Sequence, residues 1–247
     1  MAENIRWLEV FAARAAAREL LPWSHPQVLT IDELRLVTAS LQQFQLGEGS
    51  DGSGLVRRAR KSRLATLDHD FIPALELFIK EEQRHSRHLA RFLQREGAAL
   101  LRQHWVDQVF RHVRKCAGLE LCLRVLVMAE IVAVPYYTAL QRVTTSPLLQ
   151  ALCANILGDE ADHLRFQAAN LALLRRSRRG WDAAEVLLWR GFQVATLLVV
   201  WHEHRQVLEP GGYTWNSFRL DCARLLSCVN ENRFEEPAGH GRAAAAN

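Results

Sequence analysis

The sequence contains few cysteines, and none of them form a CxxC pair. Its 247 residues include five cysteines, an odd number, at Cys116, Cys122, Cys153, Cys222 and Cys228. They lie mostly among apolar residues, which predicts buried thiols in a reducing compartment. A small secreted domain held together by disulfides is therefore disfavoured.

Strong charge of one sign and long apolar runs are also missing. The 31 basic and 27 acidic residues leave a formal net charge of +4, far from the extreme typical of nucleic-acid-binding proteins. Charged residues interrupt the N-terminal segment, so no signal peptide is predicted. The apolar run Gly191–Trp201 is too short to span a bilayer. We therefore expect a cytoplasmic protein with neither a membrane nor a nucleic acid as partner.

Strand patterns are absent, and glycine and proline are sparse outside a few clusters. Apolar residues recur at helical spacing, which predicts an all-α chain with one domain over residues 1–235 and a disordered tail over 236–247. Pro135 is expected to kink or end its helix. The predicted helices cover residues 3–20, 30–48, 72–94, 100–114, 119–140, 147–176, 181–208 and 217–229.

A glycine-rich stretch from Gly47 to Gly52 matches the pattern GxGxxG. No strand precedes it and no βαβ unit surrounds it, so a dinucleotide-binding loop is rejected. Two interpretations remain open. The stretch is either a flexible connection between helices, or a helix end whose missing side chains leave room beside Glu48 for a substrate.

Two short motifs, Glu82-x-x-His85 and Glu160-x-x-His163, are the most informative feature of the sequence. A glutamate and a histidine three residues apart lie on one face of a helix. Of the ten histidines, only His85 and His163 have a glutamate at that spacing before them. One such pair is usually a pair of solvated neighbours, but two on separate apolar-periodic segments indicate a shared site.

The segment 119–140 is strongly apolar, and Glu130 is the only acid in its interior, away from Glu120 at its start. A buried carboxylate without a partner is costly, so Glu130 is expected to face a cation. Along the chain, an acid followed by an acid-x-x-His motif then occurs twice, with Glu48 as the first acid. Glu33 is the alternative residue for the position of Glu48. Four carboxylates and two imidazoles on four helices are enough to hold two divalent ions.

This arrangement resembles the ferritin-like di-iron carboxylate superfamily, which includes the acyl-carrier-protein desaturases, the ribonucleotide reductase small subunit and bacterial multicomponent monooxygenases. The resemblance covers roughly residues 30–175. It implies a ferritin-like four-helix bundle with additional N-terminal and C-terminal helices, the latter over about 181–230. It also implies a site for two iron ions, with manganese or a mixed pair as alternatives. The implied metal ligands are Glu48, Glu82, His85, Glu130, Glu160 and His163.

The resemblance further implies a role for the acid that precedes each motif glutamate. Glu81 would accept a hydrogen bond from His163, and Asp159 would accept one from His85, so that each imidazole is oriented. Monooxygenases of the superfamily carry a hydroxyl one turn after the third-helix glutamate, where this sequence has Ala133 and Val134. A proton route of the monooxygenase type is therefore not expected at that position.

The function implied is that of an O₂-dependent di-iron oxidase or oxygenase that hydroxylates, desaturates or N-oxygenates an apolar or carrier-bound organic substrate. An electron donor and a homodimer are also expected. Two alternatives stay open: a ferroxidase or iron-storage protein, and a helical scaffold with an inactive site. The glycines around Glu48 and the extra C-terminal helices favour an enzyme. The side chains expected to form an apolar lining are Leu41, Phe44, Tyr136 and Phe166.

Other residues have simpler interpretations. Tyr137 is expected to pack in the core, with a redox or gating role as the alternative, and His88, His202 and His204 are interpreted as core or surface histidines. Two basic clusters are interpreted as solvated faces, or else as docking surfaces for an acidic carrier protein or electron donor. These clusters are Arg57, Arg58, Arg60, Lys61 and Arg63, and Arg175, Arg176, Arg178 and Arg179.

Overall fold

A computed structural model of the chain describes residues 5–17, 20–115, 118–176 and 182–234. Over these ranges the secondary structure is helical throughout, without strands, so the all-α prediction is confirmed. Cys116, Arg178, Arg179 and the tail over 236–247 lie outside the described residues. The helices are α1 Trp7–Ala16, α2 Ile31–Glu48, α3 Ser53–Arg60, α4 Leu64–Leu67, α5 Phe71–Arg95, α6 Trp105–Lys115, α7 Leu119–Val143, α8 Pro147–Arg176, α9 Ala183–Leu208 and α10 Trp215–Glu231.

Four long helices, α2, α5, α7 and α8, form the central bundle. The most extensive contact is between α7 and α8, which the short connection Thr144–Ser146 joins as antiparallel neighbours. The second close pair is α2 and α5, and α5 also packs against α8. Outside the bundle, α1 covers α5, α9 packs on α7 and α2, and α10 packs on α7 and α8. The prediction of a helical bundle with extra terminal helices is therefore confirmed.

Local sequence signals explain where α2 and α8 begin. The Thr30 side chain accepts a hydrogen bond from the backbone N–H of Glu33, and the Glu33 side chain accepts one from the backbone N–H of Thr30, so the two residues form a capping box. Glu33 also accepts a hydrogen bond from the backbone N–H of Thr145. Pro147 stands at the first position of α8, where its missing N–H has no helical partner to lose.

Helix α7 continues past Pro135 to Val143. Of the two outcomes expected at this proline, a kink or a helix end, the helix end is therefore not observed. The proline leaves the carbonyl of Ile131 without its helical donor. The Sγ atom of Cys222 on α10 lies 3.8 Å from this carbonyl oxygen and donates to it. The packing of α10 therefore compensates for the hydrogen bond that Pro135 removes, and the helix carries Tyr136 and Tyr137 onward into the core.

The glycine-rich stretch divides between a helix end and a turn. Helix α2 includes Gly47 and ends at Glu48, after which Gly52 adopts a left-handed backbone with φ of +67°. A Cβ at residue 52 would lie 2.6 Å from side-chain atoms of Ile79, so only glycine fits there. The basic segment that follows forms α3, a helix that the sequence analysis did not predict. Helix α6 begins at Trp105, later than predicted.

Within the described residues, one helix, α9, is long and apolar enough to cross a membrane by length and composition alone. Its most apolar window has a mean hydropathy of 1.5, and only 11% of that window is buried. Leu187 and Leu188 are 71% and 74% exposed. The apolar run Gly191–Trp201 noted in the sequence covers only part of this helix. The cytoplasmic location stays a prediction.

Candidate metal centre

The four bundle helices bring all six predicted ligand side chains to one place. Helix α2 supplies a glutamate at its last residue, α7 supplies one from its middle, and α5 and α8 each supply a glutamate and a histidine one turn apart. His85, Glu160 and His163 are completely buried, and Glu130 is 4% exposed. The complete set is Glu48, Glu82, His85, Glu130, Glu160 and His163.

These side chains form two overlapping groups, each able to hold one metal ion. The first group is Glu48, Glu82, His85 and Glu160, and the second is Glu82, Glu130, Glu160 and His163. In each group the potential ligand atoms lie within 4.8 Å of one another. Glu82 and Glu160 belong to both groups, so their carboxylates could serve either ion.

The ligand atoms of Glu160 and the Nδ1 atoms of both histidines face other ligand atoms instead of hydrogen-bond donors. Nδ1 of His163 lies 2.9 Å from Oε1 of Glu82 and 3.5 Å from Oε2 of Glu160, and Nδ1 of His85 lies 3.9 Å from Oε1 of Glu160. Among the described residues, no hydrogen bond satisfies either oxygen of Glu160 or Nδ1 of His85. Buried polar atoms are almost always satisfied, so this arrangement fits bound cations.

Burial and crowding shift the protonation of these groups. Burial, together with the neighbouring carboxylates, raises the pKa of Glu48 and Glu130 well above the ordinary value, and burial raises the pKa of Glu160 to about 7. Burial alone would lower the pKa of His163, but the carboxylates of Glu82, Glu160 and Glu81 together outweigh burial and raise the pKa well above its ordinary value. Divalent cations would favour the ionised carboxylates and so reverse the upward shifts.

The two hydrogen bonds implied for the preceding acids are present. Nε2 of His163 lies 3.0 Å from Oε2 of Glu81, and Nε2 of His85 lies 2.8 Å from Oδ2 of Asp159. A carboxylate only accepts, so Nε2 carries the proton in each imidazole. Nδ1 of the neutral ring is then the atom with a lone pair, and in both histidines it faces the cluster.

Two arginines that the sequence analysis did not single out hold these acids in place. Arg14 on α1 contacts Glu81 at 3.0 Å and Asp159 at 2.9 Å, and it also bonds Asp162. Arg84 contacts Asp159 at 2.9 Å. Arg84 stands one turn after Glu81, a spacing that could have signalled the contact. Arg14 is remote in the sequence from all its partners, so no local pattern reveals it.

Two further side chains bond the carboxylates from outside the ligand set. The Tyr137 hydroxyl donates to Oε1 of Glu48 over 2.9 Å, and Nε2 of Gln167 donates to Oε1 of Glu130 over 2.9 Å. Burial and the Glu48 carboxylate raise the pKa of Tyr137, so the phenol stays a neutral donor. Tyr137 lies two helical turns after Glu130, so the sequence places both on one face of α7. Its contact with Glu48 could not be predicted, because it depends on how α2 and α7 pack.

A cavity of about 580 Å³ adjoins the cluster. Three of the six ligand side chains, Glu48, Glu82 and Glu130, form part of its wall. Most of the remaining wall is apolar and comes from α2, α5, α6, α7 and α9. Phe44 lines this cavity as predicted, whereas Phe166 packs against Phe11 and Phe78 in the core.

The remaining candidates lie away from the cluster. His88 packs against the ring of Trp23, and His202 is exposed. His204 is buried and shares a hydrogen bond of 2.8 Å with the Ser40 hydroxyl. Glu33 caps α2 and does not belong to the cluster. Glu48 is the residue of α2 that lies with the other five predicted ligands.

Comparison of the chain with protein-family models, curated proteins and solved structures gives no match. The helical bundle and its cluster of buried glutamates and histidines are compatible with a di-iron helical fold and could bind metal.

Proposed function

We propose that this protein is an O₂-dependent di-iron oxidase or oxygenase that acts on an organic substrate. The observation that carries this proposal is the direct contact between the cluster and a large, mostly apolar cavity. Ion storage alone needs no such cavity, whereas an oxidation of an organic molecule needs a space beside the metal that admits the molecule and limits water.

The residues have distinct parts in this proposal. Glu48, Glu82, His85, Glu130, Glu160 and His163 would hold the two ions, with Glu82 and Glu160 belonging to both ligand groups, and iron would supply the redox chemistry with O₂. Hydroxylation, desaturation and N-oxygenation by O₂ all require an extra electron pair. The proposal therefore includes an external electron donor.

The proposal also keeps the expected homodimer and the cytoplasmic location expected from the sequence. The basic helix α3 gives an acidic donor or carrier protein a complementary surface, with Arg57, Arg58 and Arg60 in its last turn. Docking of this kind weakens as salt screens the charges, so activity should fall at high ionic strength.

The first experiment is anaerobic reconstitution of the purified protein with ferrous iron, followed by admission of O₂. We expect about two irons per chain and a transient optical band as O₂ reacts. A folded protein that binds no stoichiometric iron would refute the metal site. Continued iron oxidation with mineral growth in a large symmetric assembly would assign a ferroxidase instead, and gel filtration of the same sample distinguishes a cage from a dimer.

A further inference from the structure

Helix α9 carries apolar side chains all round, but only one side of it is covered. That side packs on α7 and α2 and holds the buried residues Thr196, Val200, His204 and Val207. The opposite side faces solvent, and only 11% of the most apolar window of the helix is buried. A helix that is apolar all round is normally enclosed, so the open side of α9 is expected to meet a partner.

The open side of α9 has a regular pattern. Its exposed residues follow one another at alternating intervals of four and three, which is the heptad spacing of helices that pair along a seam. Leu188 and Leu198 in this row are 74% and 52% exposed. A Cβ at Gly191, between them, would meet no other part of the described structure within 4 Å. The row, called the α9 seam here, is Ala184, Leu188, Gly191, Ala195, Leu198, His202 and Arg205.

The two ends of the α9 seam carry opposite charges. Asp182, the N-cap of α9, is exposed beside the first seam residue, and Arg205 is exposed at the last. Among the described residues, no acidic side chain pairs with Arg205. The helix dipole adds partial positive charge near Asp182 and partial negative charge near Arg205, so each end also suits the side chain it carries. An antiparallel copy of α9 would place Asp182 of each chain beside Arg205 of the other.

The apolar residues of the α9 seam match in the same register. With Asp182 opposite Arg205, Leu188 falls within one residue of Leu198 of the second copy. Gly191 likewise falls within one residue of Ala195, so that small side chains meet at the centre, where they let two helix backbones approach closely. The seam is therefore complementary to itself in charge and in side-chain size.

We propose that two copies of this chain form a homodimer in which their α9 seams pack against each other in antiparallel orientation. A parallel pair would bring like charges together at both ends, which is unfavourable. A bilayer fits less well, because α7 and α2 cover the other side of α9 and lipid could not surround the helix. This interface rests on α9 alone and does not depend on the metal cluster or on the proposed oxidase.

The first test is sedimentation velocity of the full chain over a range of concentrations. The natural protein should be a dimer at micromolar concentrations. Leu188→Glu should raise the dissociation constant of the dimer at least about 100-fold, because each dimer loses two buried leucines. Leu188 is exposed in the single chain, so this variant should fold, which circular dichroism checks. The control Leu220→Glu changes a leucine of α10 that is 54% exposed and lies outside the seam, and it should dimerise normally.

The second test measures the orientation of the two helices by disulfide cross-linking. The variants Leu188→Cys and Leu198→Cys are mixed under reducing conditions, so that dimers exchange subunits, and are then oxidised. The antiparallel seam should give a disulfide between the two variants. Each variant oxidised alone should stay uncross-linked, because two copies of residue 188 lie about 15 Å apart along the helix axis, too far for a disulfide. The natural protein gives the background from its own cysteines.

A natural protein that stays monomeric, or a dimer that Leu188→Glu leaves intact, would overturn the proposal. So would cross-linking of Leu188→Cys with itself, which requires a parallel pair. Flotation with vesicles of phosphatidylcholine and phosphatidylglycerol tests the bilayer. A monomer that binds these vesicles and loses the binding in Leu188→Glu would assign the seam to a membrane instead. Iron content is measured on the same samples, so failure of the interface and failure of the metal site are read separately.

Discussion

Replacing Glu130 with glutamine should change stability in opposite directions in the metal-free and the metal-loaded protein. Burial and the neighbouring Glu160 raise the pKa of Glu130 well above the ordinary value, so its charge is costly without metal. Glutamine has nearly the same shape and no charge. The Gln167 amide, now 2.9 Å from Oε1, can still donate to the new side chain. The metal-free variant should therefore be as stable as the natural protein, or more stable.

The metal-loaded variant should lose the stabilisation that one ion provides. Glu130 belongs to only one of the two ligand groups, so iron should fall from about two to about one per chain. When the free metal is about 100 times its dissociation constant, one site contributes about 2.7 kcal/mol. For a protein of this size that corresponds to about 5–11 °C in Tm.

The assay is thermal unfolding with and without ferrous iron, together with metal analysis of the same samples. Glu120→Gln is the matched control, because Glu120 is on the same helix and pairs with Arg124 at 2.9 Å, outside the cluster. It should keep both irons and lose at most about 1 kcal/mol. If Glu130→Gln keeps two irons and the full metal-induced shift, Glu130 is not a ligand.

Two other predictions concern the histidine partners and pH. Asp159→Asn removes the charge that faces Nε2 of His85 and should lower metal affinity about 10–100-fold, measured by titration against a chelator. Asp162→Asn, which alters a contact with Arg14 but neither histidine, should bind metal normally. Burial raises the pKa of Glu160 from 4.5 to about 7. The protonated side chain therefore favours the metal-free fold below pH 4.5, and this contribution to stability is lost as the pH rises through 7. The metal-induced rise in Tm should thus grow between about pH 5 and pH 8; a constant difference across this range contradicts the assignment.

The helices and the ligand motifs were predictable because their signals are local. The capping box at Thr30 and the proline at residue 147 locate two helix starts within a few residues. Each Glu-x-x-His pair specifies one face of one helix, and a lone acid such as Glu130 in an apolar helix indicates burial beside a cation. Such statements need no knowledge of how the helices pack.

The contacts between distant segments could not be predicted in this way. The Cys222 thiol reaches the Ile131 carbonyl, which Pro135 leaves without a helical donor, only because α10 packs on α7. Arg14 reaches Glu81 and Asp159 only because α1 packs over α5. In both cases the residue type permits many partners, and the tertiary packing selects one.

The distribution of charge around the cluster gives a physical reason to expect cations inside it. The outer acids Glu81 and Asp159 have guanidinium partners in Arg14, and Asp159 has a second in Arg84. Within the described part of the chain, no arginine or lysine pairs with the four inner glutamates. Their neighbours are two imidazoles and the neutral donors Tyr137 and Gln167. Both imidazoles direct Nε2 toward an outer acid, so their inner nitrogens act as acceptors when neutral. An interior of carboxylates, neutral imidazoles and two neutral donors has no positive charge of its own, and two divalent ions would supply it.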